Sequence, residues 1–369
     1  MVFFPSKKQK AFVTFWTVFP RRKGLRHAEQ GTMPQQQKRK RPADGIESSD
    51  TAIVPAADHA AAPAPWHPDI TVAPSGRPLR DVRAWRASGV ELSSNSDKSA
   101  RLLDMAAEQI LGVFGDPYAC AVAAMQADPS CAVPPCVLLW LRLLGSSGKR
   151  SEQDAVDLME RAECALQARA HTARERALVG AMRLLAAGDL TRTLHIVERC
   201  LAYAPTDVML LKFHNDICLF GGFSRQMRDA IFRCLPAMDD KKTPMFSYVL
   251  GMQAFALEET GDTKSAITVA QAALEAFPQD TWALHALLHA LDSEGRATEA
   301  MQVLHRSEDT WSRSNLKCHL AWHWGLCYLE LGHMCKAMSL YDERLAPFLR
   351  RLTSFAWLAA SACPWGRCN

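Results

Sequence analysis

The sequence lacks the features that mark a secreted, membrane-spanning or β-rich protein. Its 12 cysteines form no C-x-x-C pair, and several fall at helical core positions, which suits a reducing cytosol better than a disulfide framework. No run of 18 or more apolar residues is present, so no membrane span is predicted. Strand-like runs of valine and isoleucine are also absent, whereas leucine and alanine dominate. We therefore expect an almost wholly helical chain.

The motifs of several common enzyme classes are missing as well. There is no G-x-S-x-G nucleophile elbow and no glycine-rich phosphate loop. The H-E-x-x-H motif of zinc proteases is absent too, because neither histidine pair in the chain encloses a glutamate. The sequence consequently assigns no nucleophile and no protease-type base.

Positive charge is concentrated at the N-terminus. Residues 1–42 hold 11 Lys or Arg and one acid, whereas residues 43–369 hold 32 basic and 38 acidic residues, which argues against a nucleic-acid-binding surface. We predict that residues 1–77, first basic and then rich in alanine and proline, form a disordered extension. The chain is expected to be cytoplasmic. Nuclear import through Lys38–Arg41 and a mitochondrial presequence in residues 1–30 are the alternatives.

Phased glycines organise the rest of the chain. Gly188, Gly222, Gly261, Gly295 and Gly332 lie 34, 39, 34 and 37 residues apart. A glycine that ends a helix tolerates the left-handed conformation, and a helix–turn–helix unit with a period near 34 is typical of tetratricopeptide repeats. The sequence therefore predicts an all-α fold, specifically a right-handed α-solenoid of about six tetratricopeptide-like hairpins.

Five segments carry a more specific resemblance. They are LKFHNDICLFGG, QMRDAI, TWALHALLHAL, CHLAWHWGLCYLELG and SLYDERLAPFL. They resemble the tetratricopeptide repeat protein 38 family, over roughly residues 78–349. The resemblance implies the helical-repeat architecture, a folded region that begins near Pro78, and no established biochemical activity. Two features depart from the family: Leu291 stands where other members carry a third histidine, and residues 350–369 form an atypical tail. We expect the C-terminus to be truncated or divergent.

Two histidine pairs are the main candidates for a functional site. His285 and His289 are spaced i, i+4, as are His319 and His323, so each pair lies on one helical face. Both pairs fall on the first helix of consecutive units, and the resemblance implies that first helices line a concave groove. The groove residues predicted in this way are Lys212, Asp216, Trp282, His285, His289, Asp292, His319, Trp322 and His323.

Three interpretations of these residues stay open at the level of sequence. In the first, the histidines only pack between neighbouring helices. In the second, which we favour as the function, the chain is a binding or scaffold protein that engages a protein or peptide partner, or a small ligand, without a cofactor, nucleic acid or membrane. In the third, it is a metal-binding or hydrolase-type enzyme, with Asp216, His285, His289 and His319 as ligands of a divalent metal.

Overall fold

The computed structural model describes residues 70–144 and 152–351. Every regular element in these two ranges is helical, and the β pairing within them is limited to one bridge between Val72 and Pro78. The predicted all-α class is therefore confirmed. No helix in the described ranges is long and apolar enough to cross a membrane. Several predicted features lie outside the described residues: residues 1–69 of the extension, with Lys38–Arg41 and the presequence candidate, and the tail beyond residue 351.

The helices follow one another closely along the chain. They are α1 Val82–Ala87, α2 Asp97–Gly112, α3 Pro117–Ala127, α4 Val133–Leu143, α5 Glu152–Ala168, α6 Ala173–Ala186, α7 Leu190–Tyr203, α8 Val208–Gly221, α9 Ser224–Cys234, α10 Phe246–Glu259, α11 Thr263–Ala276, α12 Thr281–Ser293, α13 Ala297–Arg306, α14 Glu308–Trp311, α15 Lys317–Glu330, α16 Met334–Leu340 and α17 Ala346–Arg351. A 3₁₀ turn spans Leu235–Ala237, and a π-helical turn spans Tyr341–Leu345.

Helices from α4 onward pack as consecutive pairs. The pairs are α4 with α5, α6 with α7, α8 with α9, α10 with α11, α12 with α13, and α15 with α16. First helices of neighbouring pairs also contact each other: α8 contacts α10, α10 contacts α12, and α12 contacts α15. All five phased glycines adopt positive φ, between 70° and 88°. The predicted left-handed turn after each first helix is therefore confirmed.

Helix α2 packs chiefly on α3 and, within the described ranges, forms no pair with a repeat helix. It contacts both α8 and α12, and nearly all of its side chains from Ser99 onward are buried. Its C-terminal end is fixed by two long-range hydrogen bonds: Thr281 Oγ1 donates to the Gly112 carbonyl, and Ser314 Oγ donates to the Val113 carbonyl, each over 2.8 Å. The N-terminal helices therefore cover part of the face that the repeat helices present.

An ion network holds α2 to the segment before it. Asp104 Oδ2 accepts from Arg77 Nη1 (2.6 Å) and from the Arg80 amide (2.8 Å), while Asp104 Oδ1 accepts from Arg80 Nε (2.8 Å). Glu108 Oε2 accepts from Arg77 Nη2 at 2.8 Å. Ala73 is also buried, so packed structure begins upstream of Pro78. These contacts place arginine side chains against two buried carboxylates, whose charge would otherwise be costly to bury.

A close crossing joins α10 to the start of α12. A Cβ placed on Gly251 would lie 2.6 Å from Asp280 Oδ2 and 3.1 Å from the Ala283 amide nitrogen. Asp280 caps α12, since its Oδ1 accepts from the amides of Trp282 (2.9 Å) and Ala283 (3.0 Å). Glycine at 251 thus allows the two helices to approach and leaves the cap intact.

We expect Gly251→Ala to lower the free energy of unfolding by about 1–3 kcal/mol, because the added methyl group overpacks this crossing. Gly180→Ala is the matched control, since a Cβ on Gly180 in α6 meets nothing within 4 Å. Removing a helical glycine there should stabilise the chain by about 0.5–1 kcal/mol. Urea unfolding of the two variants measures both effects. A Gly251→Ala chain as stable as Gly180→Ala would contradict the close approach of α10 and α12 at Gly251.

Candidate metal centre

Helices α12 and α15 carry the four histidines. Helix α12 begins at the Asp280 cap and ends at the left-handed Gly295, while α15 ends before the left-handed Gly332. Within each helix the i, i+4 spacing places two rings on one face. Because α12 and α15 contact each other, the two pairs meet, and we call them the histidine quartet: His285, His289, His319 and His323.

The Nε2 atoms of the quartet converge. His289 Nε2 lies 2.8 Å from His285 Nε2, His285 Nε2 lies 2.9 Å from His319 Nε2, and His323 Nε2 lies 3.1 Å from His319 Nε2. One ring nitrogen from each of the four residues lies within 4.8 Å of the others. Four nitrogens bound tetrahedrally to zinc at about 2.0–2.1 Å would lie roughly 3.3–3.4 Å apart. The three observed distances of 2.8–3.1 Å are somewhat shorter than this value, so the rings would move slightly apart around an ion.

Hydrogen bonding alone cannot satisfy this arrangement. A neutral imidazole nitrogen carries either one N–H or one lone pair, so it takes part in one good hydrogen bond. Nε2 of His285 and Nε2 of His319 each face two other nitrogens. At most two of the three close contacts are then hydrogen bonds. A cation at the centre would instead accept all four lone pairs at once.

Burial keeps the quartet neutral. His285, His289 and His323 are 1, 6 and 4% exposed, and His319 is half-buried. Burial lowers the pKa of His319 to about 4, and burial together with the nearby His319 lowers the pKa of His289 to about 3. The pKa values of His285 and His323 fall well below the usual value for the same reasons. Neutral imidazole is the form that binds metal ions.

Aromatic rings surround the quartet. Phe255 of α10 stacks on His285, with ring centroids 5.6 Å apart, and Trp282 lies 5.1 Å from the same ring. Trp322 stacks on His319 at 5.3 Å and, like His319, is half-buried. The quartet is therefore enclosed on the Phe255 side, and its accessible edge is at His319 and Trp322.

A carboxylate lies behind the quartet. Glu258 Oε2 at the end of α10 is 3.7 Å from His289 Nδ1, the ring nitrogen that faces away from the other histidines. Ser293 Oγ donates to Glu258 Oε1 at 3.3 Å. Burial and the neighbouring Glu259 raise the pKa of Glu258 to about 8, and burial raises the pKa of Glu259 to about 7. In proteins, metal-ligating histidines usually contact such an outer carboxylate or carbonyl.

Lys212 and Asp216 lie apart from the quartet. They form a buried ion pair one helical turn apart on α8, and Trp140 Nε1 donates to Asp216 Oδ2 at 3.1 Å. Both oxygens of Asp216 are thus engaged, and this residue is absent from the group of converging ligand atoms found in the described ranges. The structure therefore brings His323, and not Asp216, together with His285, His289 and His319.

The remaining predicted groove residues differ in accessibility. Trp282 is buried between His285 and Lys212, whose Nζ lies 5.0 Å from its ring centroid. Asp292 is half-buried near Glu258, whose pKa it helps to raise. With α2 covering part of the same face, most of these side chains line the protein interior. Of the predicted groove residues, the partly exposed ones are Trp322, His319 and Asp292.

Sequence reasoning missed Glu258, Phe255 and Trp140 as neighbours of the candidate site. Glu258 lies three residues before the turn glycine Gly261, and no sequence motif singles it out. Contacts between α10 and α12 bring it to His289, and no local pattern encodes that approach. A pair of adjacent glutamates at the end of an otherwise apolar helix was the one available signal.

Fold and site together define an all-helical protein with a buried cluster of four histidines. Compared with models of known protein families, the chain matches none.

Proposed function

We propose that this chain is a metal-binding protein and that the histidine quartet holds one transition-metal ion. The observation that carries the proposal is the convergence of four Nε2 atoms from two neighbouring helices, with contacts of 2.8–3.1 Å that hydrogen bonds cannot all account for. Imidazole ligands suit zinc, copper, iron and nickel, whereas calcium and magnesium prefer oxygen.

The proposal includes an architecture. We take the chain as a cytoplasmic, right-handed α-solenoid of about six tetratricopeptide-like hairpins and as a member of the tetratricopeptide repeat protein 38 family. Six consecutive helix pairs, contacts between successive first helices, and the left-handed glycine after each first helix from α6 onward support it. In such a stack the metal would connect the hairpins that begin with α12 and α15.

The ligand number decides what chemistry the metal supplies. Four histidine ligands would close the coordination sphere and leave a structural or storage site, whereas three ligands and an open position would allow bound water to act in hydrolysis. His319 and Trp322 at the accessible edge are the place where an open position would meet solvent. Metal binding to the folded chain alone would stabilise it by mass action in either case.

Metal analysis of the full chain, purified without an affinity tag or chelator and then dialysed against micromolar zinc, tests the proposal. We expect one zinc ion per chain. Cobalt(II) in its place should show intense visible absorption, which indicates a tetrahedral site. A chain that retains substoichiometric metal and shows no cobalt spectrum would overturn the proposal and leave the quartet as a packing cluster.

The predicted binding of a peptide or small ligand is the second candidate function. The half-buried Trp322 favours it, because this ring stacks on His319 where the site is accessible. The ligand would contact Trp322 and Asp292, since Lys212, Asp216 and Trp282 are buried. Selection from a randomised heptapeptide pool with the wild-type chain and with Trp322→Ala tests it. Enrichment that survives the substitution would place the peptide elsewhere.

A further inference from the structure

Glu258 belongs to the buried carboxylates that have no arginine partner in the described ranges. Asp104, Asp128 and Asp207 each contact an arginine. Asp280 instead accepts hydrogen bonds from backbone amides. Among the described residues, no lysine or arginine forms an ion pair with Glu258, and the basic side chain beside it is His289, whose imidazole is neutral. Buried charges in proteins are paired or lie close to a metal. The quartet is the place from which a compensating positive charge would come.

The ring of His289 lies between the centre of the quartet and Glu258. Its Nε2 lies 2.8 Å from His285 Nε2, inside the quartet, while its Nδ1 lies 3.7 Å from Glu258 Oε2. One ring therefore presents one nitrogen to the centre and the other to a carboxylate. A metal on Nε2 requires the proton on Nδ1, and the Glu258 carboxylate lies 3.7 Å from that nitrogen, within ion-pair range but beyond hydrogen-bond distance.

Glu258 is itself held in place. Ser293 Oγ donates to its other oxygen at 3.3 Å, and Ser293 ends the helix that carries His289. Its side chain is 12% exposed. Glu259, the next residue, is engaged differently, because Ser224 Oγ donates to its Oε2 at 3.4 Å. The two adjacent carboxylates therefore have separate hydrogen-bond donors. Glu258 Oε2 lies 3.7 Å from His289 Nδ1, and an oxygen of Glu259 also lies within 4.8 Å of a ring nitrogen of His289.

We infer that Glu258 is a positioning residue of the metal centre: its carboxylate fixes the tautomer and orientation of His289 and offsets part of the charge of the bound ion. The inference rests on the proposed function. In this arrangement Glu258 on α10 would interact with His289 on α12, and His289 would bind the ion. An outer carboxylate of this kind typically changes metal affinity by about 10- to 100-fold.

The test compares Glu258→Gln with Glu259→Gln in the full chain, with zinc affinity measured by competition with a chromophoric chelator. We expect the zinc Kd to rise about 10- to 100-fold in Glu258→Gln and by less than about threefold in Glu259→Gln. The cobalt(II) absorption spectrum of Glu258→Gln should shift in band position, because the orientation of His289 changes. If Glu258 had only a structural role, Glu258→Gln would change the free energy of unfolding in urea and leave the cobalt spectrum unchanged.

The outcomes separate the inference from the proposed function. A wild-type chain that binds no zinc overturns the proposed function. A wild-type chain that binds one zinc, with a Glu258→Gln chain of equal affinity and spectrum, overturns the positioning role alone. Equal losses in Glu258→Gln and Glu259→Gln would indicate a general effect of negative charge and would also overturn it. Glu258→Ala provides a second variant should the glutamine chain fail to fold.

Discussion

Replacement of His285 and His319 together by alanine should weaken zinc binding on the order of 1,000-fold, which corresponds to about 4 kcal/mol. These two residues hold the middle of the chain of Nε2 contacts, and each helix loses one ligand. The two histidines that remain are too few for a stable site. Isothermal titration of the variant with zinc, after removal of metal from both proteins, measures the change.

His305→Ala is the control for this variant. His305 is exposed on α13 and lies outside the quartet, so its loss should leave zinc affinity unchanged. Zinc at about 1,000 times its Kd should raise the free energy of unfolding of the wild-type chain by about 4 kcal/mol and that of the double variant by much less. Equal stabilisation of the two chains by zinc would show that the ion binds away from the quartet.

Asp104→Ala should cost about 3–5 kcal/mol of folding free energy, the largest single loss we expect outside the quartet. Asp104 is fully buried, and its two oxygens accept hydrogen bonds from Arg77 Nη1, from Arg80 Nε and from the Arg80 amide. Truncation leaves the Arg80 guanidinium, itself 10% exposed, without this carboxylate. Because α2 lies on α8 and α12, its loosening should also release the face of the first helices to hydrogen exchange.

Glu91→Ala gives the matched comparison, because it removes an ion pair of similar length that is exposed. Arg86 Nε lies 3.1 Å from Glu91 Oε1, with the two side chains 68 and 54% exposed. Loss of such a pair costs about 0–1 kcal/mol. Unfolding of both variants in guanidinium should therefore show a clearly lower free energy of unfolding for Asp104→Ala than for Glu91→Ala. Similar stabilities would indicate that the Asp104 network contributes little to the attachment of α2.

Local rules made much of the helical framework predictable. Glycine tolerates positive φ, so the phased glycines predicted where the first helices end. Each of the five glycines does adopt positive φ. Serine is a typical helix N-cap, and the Ser96 side chain accepts from the Ser99 amide at the start of α2. The i, i+4 spacing likewise placed each histidine pair on one face, and the ring contacts within each pair confirm this.

The same local rules do not predict contacts between segments that are distant in the sequence. The approach of His285 to His319 depends on how α12 packs on α15, and the distance of Glu258 from His289 depends on how α10 crosses α12. Asp216 shows the same limit: its partner Lys212 lies one turn away, but Trp140 comes from a helix far earlier in the chain. The placement of α2 over the first helices follows from apolar packing that no sequence period reveals.

The measurement that tests the metal centre most directly is X-ray diffraction from crystals of the full chain grown with zinc, with data collected on both sides of the zinc absorption edge. The proposal predicts one strong anomalous peak about 2.0–2.1 Å from Nε2 of at least three quartet histidines, with His289 Nδ1 facing Glu258. A quartet without a peak, or a peak bound only to surface residues, would contradict it.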